Sequence, residues 1–154
     1  MRKIATIAAL MLAACSSGTE PFDPVLRLDI QLGGAAVDYT DSVRVSLTLT
    51  NVSARTVEVF PADAYGICMH AFEVFDSGKR QVSLMEAFCA LADFIAPEPI
   101  DLAPGNKIAI TDWWRPSEST IDGEPIPPGV YQLRGRAFAD ERIARSGLRA
   151  ILVR

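Results

Sequence analysis

The fold of this chain is decided by residues 42–50, which read SVRVSLTLT. Apolar side chains stand at every second position from Val43 to Leu49, and charged or hydroxyl side chains stand between them. Successive side chains of a strand point to opposite faces of a sheet. The alternation therefore predicts a β-strand with one face in the core and the other in solvent.

The same alternation recurs in both directions from this stretch. Further strands are predicted over 25–32, 55–60, 71–75, 80–84, 107–114, 129–138 and 148–153. The intervening segments 61–70, 96–104, 115–128 and 140–147 are polar or rich in proline and glycine, which predicts loops and turns, and residues 85–95 are either a short helix or a covered loop. Seven to nine short strands with at most one short helix predict an all-β, immunoglobulin-like antiparallel β-sandwich.

The N-terminal residues carry an export address. Arg2 and Lys3 precede an apolar run that is too short to span a bilayer, and the run ends in LAAC at residues 12–15. This ending resembles the lipobox of bacterial lipoproteins. The resemblance implies a signal peptide over 1–14, an acyl anchor such as palmitate on Cys15, a tether over 15–24 and a sandwich domain over 25–154. The residue after Cys15 is Ser16, not the aspartate that retains a lipoprotein in the inner membrane of many bacteria. By this resemblance, the outer membrane is the favoured location. The alternative is an ordinary cleaved signal followed by an unrelated cysteine.

The net charge and the number of cysteines argue against several classes of function. The formal net charge of −4 argues against a nucleic-acid surface, which needs clustered basic residues. With Cys15 acylated, Cys68 and Cys89 are left as an even pair in an oxidising compartment, and a disulfide between them is expected. Two buried free thiols are the alternative. One histidine and the absence of a CxxC motif argue against a zinc or redox site, so neither a metal nor a cofactor is expected.

Three short sequence motifs resemble those of bacterial immunoglobulin-like domains, in particular those of the intracellular proteinase inhibitor family. They are LTLTNVS at 47–53, LAPGNK at 102–107 and PPGVYQL at 127–133. The resemblance implies the sandwich fold, with the Tyr131 hydroxyl bonded back to nearby backbone as a corner device. It also suggests inhibition of a protease. Export and the two additional cysteines are departures from that family, and a shared fold does not transfer activity.

Residues for catalysis are scarce, whereas one stretch is suited to binding. His70 is the only histidine, no G-x-S-x-G or S-x-x-K motif frames a nucleophile, and the acidic residues are dispersed, so we do not expect an enzyme. The binding candidates are Trp113, Trp114 and Arg115. Strand alternation places Trp114 inward and Trp113 outward, where a tryptophan beside an arginine has the composition of an interaction hot spot. Alternatively, the following loop covers Trp113.

These observations together predict a non-catalytic binding or structural module of the cell envelope. It would be held to the outer membrane by the lipid on Cys15, on the periplasmic or the surface side, and its partner would be an envelope protein or a protease. The alternative function is a proteinase inhibitor that presents an exposed loop near residues 115–128.

Overall fold

The computed structural model describes residues 25–60, 70–84, 98–139 and 142–154. Within these ranges the regular structure consists of twelve strands and one 3-10 helix, Pro116–Glu118, so the all-β prediction is confirmed. The strands are β1 Leu26–Leu32, β2 Ala36–Val37, β3 Val43–Asn51, β4 Val57–Phe60, β5 Phe72–Phe75, β6 Gln81–Leu84, β7 Ile100–Leu102, β8 Lys107–Trp114, β9 Ser119–Ile121, β10 Glu124–Pro125, β11 Gly129–Ala139 and β12 Arg142–Val153. Eight of these described strands have four residues or more, within the predicted seven to nine.

The smaller sheet is built around β3, which contains most of the alternating stretch 42–50. Its order is β1-β3-β8, and both pairings are antiparallel. Leu47 on β3 lies opposite Ile30 on β1 and Ile110 on β8. The apolar side chains of the three strands therefore share one face, as the alternation predicts.

The larger sheet has the order β10-β9-β6-β5-β11-β12-β2, and β4 joins it beside β11, with β7 beside β4. Its β2 runs parallel to β12, with Ala36 opposite Leu152, so the sheet is mixed rather than wholly antiparallel as expected. The reason lies in the connection. The chain leaves β1 through Gly33 and Gly34 and continues in the same sense into the other sheet.

The two sheets face each other across one apolar core. Val45, Leu47, Val74 and Leu133 are at most 1% exposed, and they come from both sheets. Burial of such a side chain stabilises the fold by about 1.5–3 kcal/mol. At Gly135 the sheets come so close that an added Cβ would lie 2.5 Å from the Cδ2 atom of Leu47.

Asn51 connects the segment 47–53 with the segment 102–107, two of the three motifs that resemble immunoglobulin-like domains. Its side-chain nitrogen donates to the carbonyls of Arg55 and Leu102, at 2.7 Å each, and its side-chain oxygen accepts from the amide and hydroxyl of Ser53. Its backbone bonds Gly105 and Asn106 in the β7–β8 turn. This one fully buried amide thus fastens the β3–β4 turn to the β7–β8 turn.

The hydrogen bond expected of the Tyr131 hydroxyl is present. Its hydroxyl donates to the carbonyl of Pro127 at 2.6 Å, which is the expected corner device. Burial of the ring is the main reason why the pKa of the Tyr131 phenol is raised, and the nearby carboxylate of Asp76 adds to it. The phenol therefore stays protonated, as a donor must, above its ordinary titration range.

Three loop predictions are wrong. Residues 115–128 are not an irregular loop, because they contain the 3-10 helix and the β9–β10 hairpin, whose turn has Asp122 and Gly123 at φ 55° and 85°. Arg142 to Gly147 form the first half of β12, and Ile100–Leu102 is a strand within the predicted loop 96–104. In each case strand pairing overrides a polar or proline-rich composition: β7 pairs with β4 and β9 with β6, both distant in sequence, whereas residues 142–147 pair with the neighbouring β11.

Several predictions lie outside the described residues. They concern the signal peptide over 1–14, the tether over 15–24 with Cys15, the Cys68–Cys89 pair and the segment 85–95.

Candidate binding site

Trp113 and Trp114 lie at the end of β8 and point in opposite directions. Register places Trp114 opposite Val43 and Trp113 opposite Arg44. Trp114 is 1% exposed, whereas Trp113 is 55% exposed. The predicted orientation of both rings is confirmed, and the alternative in which the following segment covers Trp113 is wrong.

Trp114 is a core residue. Its indole Nε1 donates to the Ser119 hydroxyl at 2.9 Å, and its ring packs edge-on against Tyr131 at 5.9 Å between centroids. The Ser119 hydroxyl donates in turn to the carbonyl of Arg115 at 3.2 Å. These bonds hold the 3-10 helix and β9 against the end of β8, and they leave Trp114 no surface for a partner. The role of Ser119 was not foreseen, since nothing in the sequence pairs it with the indole.

An open cleft of about 410 Å³ lies beside the exposed ring of Trp113. Its lining includes Gly33, Gly34, Asp38, Asp41 and Arg44. The amide of Gly33 donates to the Arg44 carbonyl at 2.8 Å, which joins two of the lining segments. We call this feature the Trp113 cleft.

The chemistry of the Trp113 cleft suits a ligand with one flat apolar surface and a polar rim. Asp38 is bound by Arg154, which also lines the cleft, in a surface ion pair of 3.2 Å. Such exposed pairs contribute little to stability, about 0–1 kcal/mol, and a ligand can displace them at low cost. Hydrogen-bonding groups of both kinds are therefore available next to an aromatic platform.

Arg115 is exposed but does not belong to the residues that line the cleft. Its guanidinium pairs with the carboxylate of Glu118 on the 3-10 helix. Of the three predicted binding residues, the structure therefore places only Trp113 in the cleft. The glycines, Asp38 and Arg44 were missed, because they come from segments that reach Trp113 only through sheet pairing.

The Trp113 cleft lies at the end of the sandwich opposite to the point where the N-terminal segment enters. Leu26 begins β1 opposite Asn51, and the Val25 carbonyl accepts from the amide of Val52. Trp113 pairs instead with Arg44, near the other end of β3. At the usual rise of a strand, Arg44 and Asn51 are about 23 Å apart.

His70 forms a second notable contact, with Asp112. Its Nδ1 atom lies 3.2 Å from the Asp112 Oδ2 atom, and the Asp112 carboxylate also accepts from the amides of Ala71 and Trp113. Burial acts to raise the pKa of Asp112, but the hydrogen bond with His70 and those from the two amides outweigh it and lower that pKa. The carboxylate is thus held ionised.

The His70–Asp112 pair ties β8 of the smaller sheet to the start of β5 in the larger sheet. A hydrolytic triad would need a hydroxyl or thiol bonded to the imidazole. None of the serine, threonine or cysteine side chains that the structure describes makes that bond. The geometry thus supports a structural role for the pair.

The described ranges contain neither a metal-binding cluster nor a membrane-spanning helix. No group of three or more histidine, cysteine, aspartate or glutamate side chains there could hold a metal ion. Likewise, these ranges contain no helix with the length and apolar character needed to cross a membrane.

No known protein-family model and no curated protein match this sequence. Several solved structures show a partial similarity to this one. The alkylpurine DNA glycosylase AlkC of Pseudomonas fluorescens, bound to DNA with an abasic site analog, is 11% identical with a TM-score of 0.48, over 86% of this chain and 31% of that one. The β-glucosidase EmGH1 of Erythrobacter marinus is 15% identical with a TM-score of 0.46, over 84% and 15%. The CARDB domain of the PF1109 protein of Pyrococcus furiosus, in complex with di-metal ions, is 12% identical with a TM-score of 0.42, over 85% and 89%. This chain spans less than a third of the first two proteins.

Proposed function

We propose that this protein is a lipid-anchored, non-catalytic binding module of the bacterial cell envelope, and that it holds its partner in the Trp113 cleft. The supporting observation is the exposed Trp113 ring over an open cleft at the end of the sandwich away from residue 25. An exposed tryptophan is costly in water and is enriched among the residues that dominate binding energy.

The anchor belongs to the same proposal. The LAAC ending of the apolar run supports acylation of Cys15 after removal of residues 1–14, and Ser16 supports residence at the outer membrane. A tether over residues 15–24 would reach at most roughly 30 Å. The domain would then sit near the membrane with the Trp113 cleft available to an envelope partner, and a Cys68–Cys89 disulfide would suit that oxidising compartment.

A crosslinking experiment in cells tests the use of the cleft. A photo-crosslinking residue at Asp41, on the cleft rim, should capture an envelope component, and Trp113→Ala should reduce the yield at least tenfold. Val52→Ala is the matched control, because Val52 is 44% exposed at the opposite end and should leave the yield unchanged. Equal yields from Trp113→Ala and the unaltered chain would contradict the proposal.

The crosslinking result is meaningful only if Trp113→Ala stays folded. Truncation of the exposed ring should change the free energy of unfolding by at most about 0.5 kcal/mol. Trp114→Ala should instead cost about 3–5 kcal/mol, because it empties the core and strands the Ser119 hydroxyl. Urea unfolding of both variants distinguishes the two roles, and a large loss from Trp113→Ala would make that residue structural.

Mass spectrometry of membrane-extracted protein tests the anchor separately. The N-terminal residue should be an acylated Cys15. A mature chain with an unmodified Cys15 would contradict the anchor while leaving the Trp113 cleft in place.

The β9–β10 hairpin favours a second candidate, a proteinase inhibitor. Asp122, Gly123, Glu124 and Pro125 are exposed, while Ser119 and Ile126 on either side are at most 2% exposed, so the turn is presented on a firmly held base. Titration against a panel of serine proteases should then show stoichiometric inhibition that a deletion of residues 122–125 abolishes. An absence of inhibition across the panel would remove this candidate.

A further inference from the structure

The outer face of the β11–β12 hairpin carries an unusual set of side chains. Of the large apolar side chains that the described residues expose, four lie on this hairpin, namely Val130, Ile143, Leu148 and Leu152. Register places Val130 opposite Leu152 and Ile143 opposite Phe138. All of them alternate with the core residues of these strands, so they share the face that points away from the smaller sheet.

Arginines are interleaved with these apolar residues. Arg134, opposite Leu148, and Arg136, opposite Arg145, lie on the same face. Like charges directly opposite each other destabilise a sheet. One carboxylate, Glu73, offsets this repulsion in part, at 2.9 Å from Arg134 and 3.7 Å from Arg145.

The face therefore keeps a positive charge on a protein whose net charge is −4. The Arg145 side chain is 35% exposed beside Glu73, so part of it is available to an acceptor from outside. We call this surface the arginine face.

We propose that the arginine face docks on an anionic phospholipid bilayer. Guanidinium groups bind phosphate well, and aliphatic side chains enter the interface between headgroups and acyl chains. The exposed apolar residues of this face are valine, isoleucine and leucine, whereas protein interfaces favour tyrosine and tryptophan. From Val130 to Phe138 the face is about 26 Å long, enough to contact several headgroups.

This inference deepens the proposed function and rests on it for its setting, since a lipid on Cys15 would keep the domain near a bilayer. Docked through the arginine face, the sandwich would turn its smaller sheet, with Trp113, away from the membrane. One molecule would then hold lipid on one side and its partner on the other.

Vesicle flotation of the unacylated chain 16–154 tests the arginine face. Every described strand begins after residue 25, so this chain contains the whole described sandwich, and a thermal melt verifies its folding. It should float with vesicles of phosphatidylethanolamine and phosphatidylglycerol but not with phosphatidylcholine vesicles. The double substitution Arg136→Gln and Arg145→Gln should weaken partitioning about 30-fold, at about 1 kcal/mol per arginine.

Matched variants distinguish the contribution of the arginine face to vesicle binding from the contribution of the net charge. Arg27→Gln with Lys107→Gln removes the same charge from the outer face of the smaller sheet and should change partitioning less than twofold. Leu148→Gln with Leu152→Gln should weaken it roughly tenfold. The inference is overturned if the anionic vesicles capture nothing, which would assign the face to an acidic protein, or if the control pair loses as much as the arginine pair. Because this chain lacks Cys15, the result does not depend on acylation.

Discussion

Asn51 shows how one side chain can organise two turns. All of its hydrogen-bonding groups are used, its accessible surface is zero, and its partners lie in both the β3–β4 and β7–β8 turns. A buried amide that is fully satisfied adds to stability, whereas its loss leaves several backbone groups without partners. The Asn-x-Ser motif in the sequence therefore has a physical meaning, since a side-chain amide supplies two donors and an acceptor at once.

We expect Asn51→Ala to lower the free energy of unfolding by about 2–3 kcal/mol, because the Leu102 carbonyl would remain buried without its donor. Ser53→Ala, which removes a more exposed hydroxyl from the same turn, should cost about 1 kcal/mol or less. Chemical denaturation of both variants measures the difference. Equal losses would show that the turn, not the amide, provides the stability.

Gly135 affects how the strands of the two sheets pack against each other. The register of β11 with β12 shifts between Arg134 and Arg136, and the Gly135 amide donates to the Ser146 hydroxyl at 2.8 Å. The shift and the missing side chain together let β11 approach Leu47 of the opposite sheet. A strand bends and twists more strongly at such an irregularity.

Gly135→Ala should destabilise the protein by about 1–3 kcal/mol, because the new methyl group overlaps the buried Leu47 side chain. In a background with Leu47→Ala, which removes the overlapping atom, the same substitution should cost close to nothing. A double-mutant cycle by urea unfolding measures this coupling. Purely additive losses would mean that the contact is not the cause.

The two sheets are also joined at their margin by a polar pair, His70 and Asp112. Because the pKa of Asp112 is lowered in the folded protein, the ionised carboxylate favours folding. This contribution is fully present above the ordinary value of 3.8 and is lost as the pH falls through the lower folded value. The pair thus makes the association of the sheets sensitive to acid.

Asp112→Asn should lower the free energy of unfolding at neutral pH by about 1–3 kcal/mol and flatten its decline below the ordinary carboxyl range. Asp29→Asn, at an exposed pair with Arg27, should change stability by less than about 1 kcal/mol. Thermal melts across an acidic pH series test both. An unchanged acid dependence in Asp112→Asn would remove this residue as its source.

Sequence alone determined the elements with clear local patterns. Alternation specified β1, β3 and β8, and it also specified the opposite orientations of Trp113 and Trp114, because a strand's two faces follow from backbone geometry alone. The tyrosine corner was predictable from a short phrase around Tyr131. The β9–β10 turn was predictable in principle from Asp122-Gly123, a strong hairpin signal that proline-rich surroundings obscured.

Only the tertiary structure decided which distant segments meet. The strand Ile100–Leu102 forms because β4, distant in sequence, offers it a partner, although its surroundings are rich in proline. The lining of the Trp113 cleft comes from residues near 33, 38 and 44 together with 113 and 154, and their proximity depends on sheet register. Glu73 likewise reaches the arginine face only because β5 pairs with β11. Pairing between strands depends on packing across the whole core, so no local pattern along the chain carries this information.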